Sequence, residues 1–366
     1  MTVKVQIVDD SLIFRSLLAE IMAEIPELKI CSSVRNGRLA LEDIAKSQPQ
    51  LVTLDLEMPE MDGLETLAEI KKLNDSLGKA EQIYPVMLSS FTKKGAQKTI
   101  AALRAGAVDF IEKPQGPDPD LNRKIIKVKL KKIVQSLFHI KSSPRAPIQR
   151  TDLAQEHIQR KAKVSTQANT KAASDYKALF IGSSTGGPKL LFEILPQISA
   201  EISCPIFIVQ HMPEEFTPQL AAGLNKKCHS EVLEAKTGML VEDKKIYLAP
   251  GAQHMLVKKN SKGRLEIICN QQEPENGHRP SADILFRSAA QAYAHKSLAL
   301  ILTGMGSDGC KGLQTLKRKS AYIIAQDEAS SVVWGMPGAA VHAGCVDEIL
   351  PATEISSRII EILKGK

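Results

Sequence analysis

Two sets of side chains in this 366-residue chain are of types and spacings that could do chemistry. The first set is acidic. Asp9 and Asp10 follow the apolar run VKVQIV, Asp55 closes LVTLD, and Lys113 ends VDFIEK. Carboxylates gathered at one spot repel and raise each other's pKa unless a cation neutralises them. A hard divalent cation such as Mg2+, which prefers oxygen ligands, meets that need. With a metal in place Asp55 becomes a nucleophile able to accept a phosphoryl group. Lys113 then pairs with the phosphate and Ser89 donates a hydroxyl to it. Taken singly, such acids read as helix caps and the lysine as a surface partner; at the ends of the right strands together, they favour the phosphoryl site.

The second set follows the apolar run KALFI, where Gly182-Ser183-Ser184-Thr185-Gly186-Gly187 precedes a helix-period segment. A P-loop needs Lys straight after its closing glycine, but Pro188 intervenes before Lys189, and the G-x-G-x-x-G of a dinucleotide loop is absent. What remains is G-x-S-x-G, a strand-to-helix turn that exposes a nucleophile and whose N–H groups can stabilise an oxyanion. The register puts that nucleophile at Ser184, with a helix N-cap serine as the ordinary alternative. A serine hydroxyl barely ionises near neutral pH, so an imidazole must take its proton and a carboxylate should hold the imidazole. Of the eight histidines, His211 is best placed, directly after the strand PIFIVQ, whose end should neighbour that of KALFI. His254, His278 and His295 fall by the hairpin region or within helical segments, where capping or surface roles are usual. Asp308, in the glycine-rich turn after LALILT, is the candidate carboxylate, with turn formation as its alternative. The order Ser, His, Asp departs from that of α/β-hydrolases, which implies a different hydrolase fold.

Positioning these residues requires strands that end at the sites. From Val3 to Lys113 short apolar runs alternate with helix-period segments, which predicts a parallel sheet with helices on both faces. Ligands then sit beyond the carboxyl ends of the strands, where the acids lie. A closing helix is predicted over Leu121 to Leu137, with Leu121, Ile125, Val128, Ile133 and Leu137 as its apolar face. Residues 139–175 are poor in apolar residues and rich in Ser, Thr, Gln, Pro and Lys, the composition of a flexible linker. A second alternating region follows, with strands KALFIG, PIFIVQ, LALILT, AYIIAQ and CVDEIL. Within it KIYLAP, HMLVKK and RLEIIC lie too close together for intervening helices and read as an inserted antiparallel β-meander or hairpins. The fold class is therefore α/β in two domains: a flavodoxin-like (βα)5 unit over 1–138, and a doubly wound, mostly parallel sheet with the antiparallel insert over 176–366.

Composition narrows the function. Apolar residues at 43% and charged residues at 24% exclude a disordered, collagenous or disulfide-scaffold chain. The net charge of +7 hints at nucleic acid until it is located: Leu121 to Asp175 carries +10 and the remainder −3. The basicity reads as a solvated helix face and a tether, and no nucleic acid is expected. The six cysteines include no C-x-x-C pair and read as reduced structural thiols. No apolar run reaches the ~18 residues of a membrane span, and a cytoplasmic location is expected.

VDDS, TLDLEMPEMDG, MLSS and FIEKP make residues 1–138 resemble the response-regulator receiver domain of two-component signalling. The resemblance implies that Asp55 takes phosphate from a histidine kinase and that Asp10, Asp55 and the backbone carbonyl of Glu57 bind Mg2+, with Asp9 in support. It also puts Ser89 and Phe110 at switch positions. IGSSTGGP, VQHMP, YLAPGAQHM, HRPSADILF, LTGMGSDG and AQDEASSVVWGMPGAA make the second unit similar to the catalytic domain of chemotaxis protein-glutamate methylesterases. That resemblance implies Ser184 as nucleophile, His211 as general base and acid, and Asp308 as its orienting residue. Thr185 and the backbone of Met305 become oxyanion candidates. It implies chemoreceptors as substrate, γ-methyl ester hydrolysis with glutamine deamidation in some members, and no cofactor in the catalytic half. Ser183 stands where that family often has Ala, and Ser307 where it often has Asn. A DNA-binding response regulator is the rival from another class, disfavoured because the second unit is larger than a helix-turn-helix module.

Overall fold

The computed structural model describes residues 2–78, 81–90, 92–138 and 176–365; the predicted linker over 139–175 lies outside the described residues. The first unit is a five-stranded parallel sheet in the order β2-β1-β3-β4-β5. Its strands are β1 (Val3–Val8), β2 (Leu28–Val34), β3 (Leu51–Asp55), β4 (Tyr84–Ser90) and β5 (Asp109–Lys113), with helices α1 (Leu12–Ala23), α2 (Gly37–Ser47), α3 (Gly63–Ser76), α4 (Lys93–Ala105) and α5 (Pro119–Leu137). The chain reverses direction across the sheet between β1 and β3, so their carboxyl ends flank the crevice where such folds bind ligands. Local signals start the helices there. Ser11 caps α1 by accepting from Phe14 N–H, and Asp62 with Glu65 forms a reciprocal capping box on α3.

In the second unit seven parallel strands run in the order β14-β13-β12-β6-β7-β9-β8. They are β6 (Ala178–Ser183), β7 (Ile206–Gln210), β8 (Glu231–Glu234), β9 (Lys245–Leu248), β12 (Ser297–Ile301), β13 (Tyr322–Gln326) and β14 (Glu348–Leu350). The helices are α6 (Gly187–Glu201), α7 (Thr217–Asn225), α8 (Ala282–Ala292), α9 (Cys310–Arg318), α10 (Met336–His342) and α11 (Ala352–Lys364). From β6 the chain builds outward through β7 to β9 and β8, then returns to the other side of β6 with β12. The crevice of this sheet therefore opens at the ends of β6, β7 and β12.

Two expectations differ from what is found. The antiparallel insert is a single pair, β10 (His254–Lys259) with β11 (Leu265–Asn270), whereas KIYL pairs in parallel with β7 and β8. Ile246, Tyr247 and Leu248 are buried in succession, the mark of a strand covered on both faces. The face of α5 is also different. Ile126, Leu130, Ile133, Val134 and Leu137 face the core, while Leu121, Ile125 and Val128 are about half exposed. Isoleucines at 125 and 126 offer two apolar stripes, and packing against β5 and α1 selects the one that continues to the end of the helix.

The two units share apolar packing. Ile100 and Leu103 of α4 and Phe110 of β5 belong to one cluster with Leu190, Leu191, Phe216 and Leu220 of the second unit. Phe110 lies on Phe216 with ring centroids 4.4 Å apart, and the Arg104 guanidinium sits over Phe192 at 5.7 Å. An aromatic pair adds about 0.5–1.5 kcal/mol beyond its buried area.

Candidate active site

Beyond the ends of β1 and β3, carboxylate oxygens of Asp9, Asp10 and Asp55 lie within 4.8 Å of one another. Lys113, from the end of β5, reaches Asp9 at 2.7 Å and Asp55 at 2.9 Å. Burial, with repulsion from Asp9, outweighs that lysine and pushes Asp55 up to about 6. Burial would lower Lys113, but Asp55 and Asp9 hold it above the usual lysine range. Three acids against one ammonium is a set of hard oxygen donors short of positive charge, which fits Mg2+. Ser89 is fully buried beside this site and accepts from the Thr99 hydroxyl at 2.7 Å. The Glu57 side chain points away to Lys98, leaving its backbone carbonyl as the ligand expected of it.

The second site is built by the β6, β7 and β12 ends. Parallel pairing sets Ser183 beside Gln210, so the residues that follow, Ser184 and His211, leave neighbouring strands side by side. Ser184 is pinned through its backbone: its N–H donates to Thr303 O at 3.0 Å, and its carbonyl accepts from Gly187 N–H at 2.8 Å and Gln210 Nε2 at 3.0 Å. Gly304 must be glycine, because a Cβ there would come within 2.7 Å of Ser184 Cβ. Ser183, by contrast, is fully buried and donates its hydroxyl to Gln210 Oε1 at 2.7 Å, so it is held away from the cleft.

His211 Nε2 is 2.7 Å from Asp308 Oδ2, and the imidazole is 7% exposed. A carboxylate that only accepts requires Nε2 to carry the proton, which leaves Nδ1 as a base. Nδ1 is buried without a hydrogen-bond partner, and Ser184 Oγ is not bonded to it here. Asp308 also accepts from the Ser281 hydroxyl at 2.7 Å, from Asn276 Nδ2 at 3.2 Å, and from the Ala282 and Asp283 N–H groups at 2.6 and 3.3 Å. Burial would raise its pKa, but the His211 bond and charge, with Ser281 and Ala282, hold it well below the usual carboxylate range. The carboxylate thereby serves as the missing N-cap of α8, whose N-terminus favours an anion.

A cleft of about 610 Å³ joins Ser184, Thr185, His211, Asn276, His278 and Met305, and part of its wall is the first unit: Val108, Asp109, Phe110, Lys129 and Lys132. Asp109 accepts the Thr185 hydroxyl at 2.6 Å, and Val108 O accepts Gly186 N–H at 3.1 Å. The first unit therefore engages two donors adjoining Ser184. His278, for which the sequence suggests only a capping or surface role, lines the cleft and stacks on His211, and Asn276, Ser281 and Gln210, which carry no sequence expectation, hold the site's members. The Asn276-Gly277 dipeptide, a turn signal beside a histidine, was the available clue. His254 is buried and bonds to Glu273 O at 3.1 Å.

Among the described residues no helix is long and apolar enough to cross a membrane. The family model described as CheB methylesterase matches residues 179–359, and that of the response regulator receiver domain matches residues 5–125. A protein-glutamate methylesterase/protein-glutamine glutaminase of Desulfotalea psychrophila is 40% identical, over 99% of this chain and 98% of that protein. Its namesake in Geobacillus kaustophilus is 38% identical, over 99% of each. The crystal structure of the Thermotoga maritima CheB methylesterase catalytic domain covers 51% of this chain and 98% of its own at 38% identity, with a TM-score of 0.50.

Proposed function

The chain belongs to the family of protein-glutamate methylesterases/protein-glutamine glutaminases, and we propose that it hydrolyses glutamate γ-methyl esters on chemoreceptors through Ser184, His211 and Asp308, under control of phosphorylation at Asp55. The observation that carries this reading is the 2.7 Å His211–Asp308 bond, with His211 and Ser184 lining one cleft. His211 Nδ1 takes the Ser184 proton as the oxygen adds to the ester carbonyl. Asp308 stabilises the imidazolium so formed. The tetrahedral intermediate collapses, His211 returns the proton to methoxide, and methanol leaves. Water then attacks the acyl-serine, giving up a proton to His211, and releases the glutamate carboxylate and the free hydroxyl. An amide substrate follows the same route with ammonia as the leaving group. Thr185 and the N–H groups near the start of α6, with the Met305 backbone, are the oxyanion candidates.

The receiver is the brake in this reading. With Asp109 on Thr185 and Val108 on Gly186, the docked unit ties up donors beside the nucleophile and walls the cleft against a receptor helix. Asp9, Asp10, Asp55 and the Glu57 carbonyl would hold Mg2+, which neutralises charge on the carboxylates and an incoming phosphoryl group from a histidine kinase. Lys113 then pairs with the phosphate and Ser89 donates to it. Phe110, on the strand β5 that pairs with the Ser89 strand β4 and packed on Phe216, links that event to the docking surface. A tenfold change in docking needs only ~1.4 kcal/mol.

Methanol release from methylated receptor membranes tests the reading. Ser184→Ala should reduce release to background, while Ser183→Ala should keep turnover. Undiminished release from Ser184→Ala would refute the hydrolytic assignment.

A further inference from the structure

A second imidazole lies against His211 and has no part in the scheme above. The His278 ring stacks on it face to face, with centroids 4.0 Å apart and planes 5° from parallel. A tight turn delivers this ring. Glu275 and His278 exchange both backbone hydrogen bonds, at 3.1 and 2.9 Å, and Asn276 and Gly277 between them adopt φ of 54° and 76°. That is the two-residue hairpin geometry for which Asn-Gly is the preferred pair.

The turn is anchored independently of His211. Both carboxylate oxygens of Glu275 take the guanidinium of Arg287 in α8. Asn276 donates to Asp283 at 2.8 Å and to Asp308 at 3.2 Å. One short segment thus braces the orienting carboxylate and presents a flat ring to the imidazole that the carboxylate holds.

His211 has need of such a surface. Its bond to Asp308 fixes one corner of the ring and leaves the ring plane free to swing about that corner, which would sweep Nδ1 away from Ser184. Displacing a reacting group by about 1 Å can cost about 10²-fold in rate. We propose that His278 is a positioning residue for the esterase reaction, a flat surface that holds the His211 ring in one plane within the cleft it shares with Ser184, from which Nδ1 can take the serine proton. This rests on the role given to His211 above. The charge state suits it: burial, then His211, with Lys132 and Lys129 of α5, push His278 down to about 4 against the pull of Asp308. The plane therefore stays neutral while an imidazolium forms against it, where a second cation would oppose that charge.

The test uses the full chain with a phosphodonor, reading methanol release from methylated receptor membranes as kcat and KM separately, with thermal unfolding alongside. His278→Ala should lower kcat on the order of 10-fold to 10²-fold with KM and Tm little changed. His278→Phe, a flat neutral ring without nitrogen, should recover most of the rate. Wild-type kcat in His278→Ala, a loss confined to KM, or a His278→Phe as slow as His278→Ala would each overturn the proposal, the last by assigning the work to a ring nitrogen. If His278→Ala does not fold, His278→Phe decides alone: near-wild-type kcat supports the plane and a collapsed kcat overturns it. Ser184→Ala in parallel separates the two levels. A rate that survives it overturns the hydrolytic reading and this inference together, whereas a rate lost there but kept in His278→Ala overturns this inference alone.

Discussion

Asp55 and Asp308 are both buried aspartates at the carboxyl-terminal edge of a parallel sheet, and their surroundings drive them in opposite directions. Around Asp55 stand Asp9 and Asp10, with Lys113 as the cation that touches it. Burial, helped by Asp9, lifts its pKa to about 6. Around Asp308 stand five donors, two of them N–H groups of a helix N-terminus, and its pKa is held far down despite deeper burial. Donor count, more than depth, separates the two. A carboxylate crowded by other acids is short of positive charge, which fits the cation and phosphoryl group proposed for it. A carboxylate saturated with donors keeps a permanent charge, which in the proposed mechanism steadies an imidazolium. In the proposed reading one residue type serves two chemistries because its surroundings supply donors at one place and acids at the other.

The contrast breaks most sharply at Asp308. Asp308→Asn keeps the shape but removes the charge and turns an amide NH2 toward groups that are themselves donors. Loss of kcat on the order of 10⁴-fold is expected. Each buried donor left without an acceptor costs about 1–3 kcal/mol, so Tm should fall as well. Asp55→Asn relieves crowding among acids and should leave Tm unchanged or higher. Methanol release and thermal unfolding of both variants read the difference. Equal Tm changes in the two would erase the distinction drawn here.

The next effect belongs to the receiver. If the acids await a cation, chelating Mg2+ from the wild type and mutating Asp55→Asn should have the same consequence: the phosphodonor no longer raises the esterase rate. With docking set by ~1.4 kcal/mol per decade, the stimulation lost should be about tenfold for each such increment. Stimulation that persists in EDTA, with Asp55 intact, would show that Lys113 alone neutralises the pocket.

How much of this was legible depended on whether a residue's position follows from its own strand. Asp55, Lys113, Ser184 and His211 sit at strand ends and Asp308 in the loop that follows β12, and alternating strands and helices bring such ends and loops to one edge of a sheet. His278 sits on a turn between β11 and α8, and its place over His211 is set by contacts to Arg287, Asp283 and Asp308 that no local pattern announces. The exposed face of α5 is not legible in the sequence, because adjacent isoleucines offer two stripes and only tertiary packing chooses between them. KIYL lies close to HMLVKK and RLEIIC in sequence, which suggests a meander, but its unbroken burial is that of a parallel interior strand.

The smallest expected effect lies at the joint between the two sites. Glu112, next to Lys113 in β5, shares a surface hollow with Glu214, Glu215 and Arg279 of the catalytic unit. Burial, then Glu215, pushes Glu112 up to about 7, with Lys129 opposing. A raised acid favours the docked state in its protonated form. Its contribution to docking is therefore complete in the ordinary carboxylate range and is lost as pH rises through 7. Glu112→Gln fixes the neutral form. The basal rate of the unphosphorylated variant should match wild type only near the ordinary carboxylate value of 4.5, drop below it as pH rises toward 7, and be a few-fold lower at pH 8, since about 0.8 kcal/mol of tighter docking is a fourfold change. Taking the ratio of the two proteins at each pH cancels the titration of the catalytic groups that both share. A ratio that does not vary with pH would detach Glu112 from docking, and the acidic pocket would then have to reach the cleft through Phe110 and Asp109 alone.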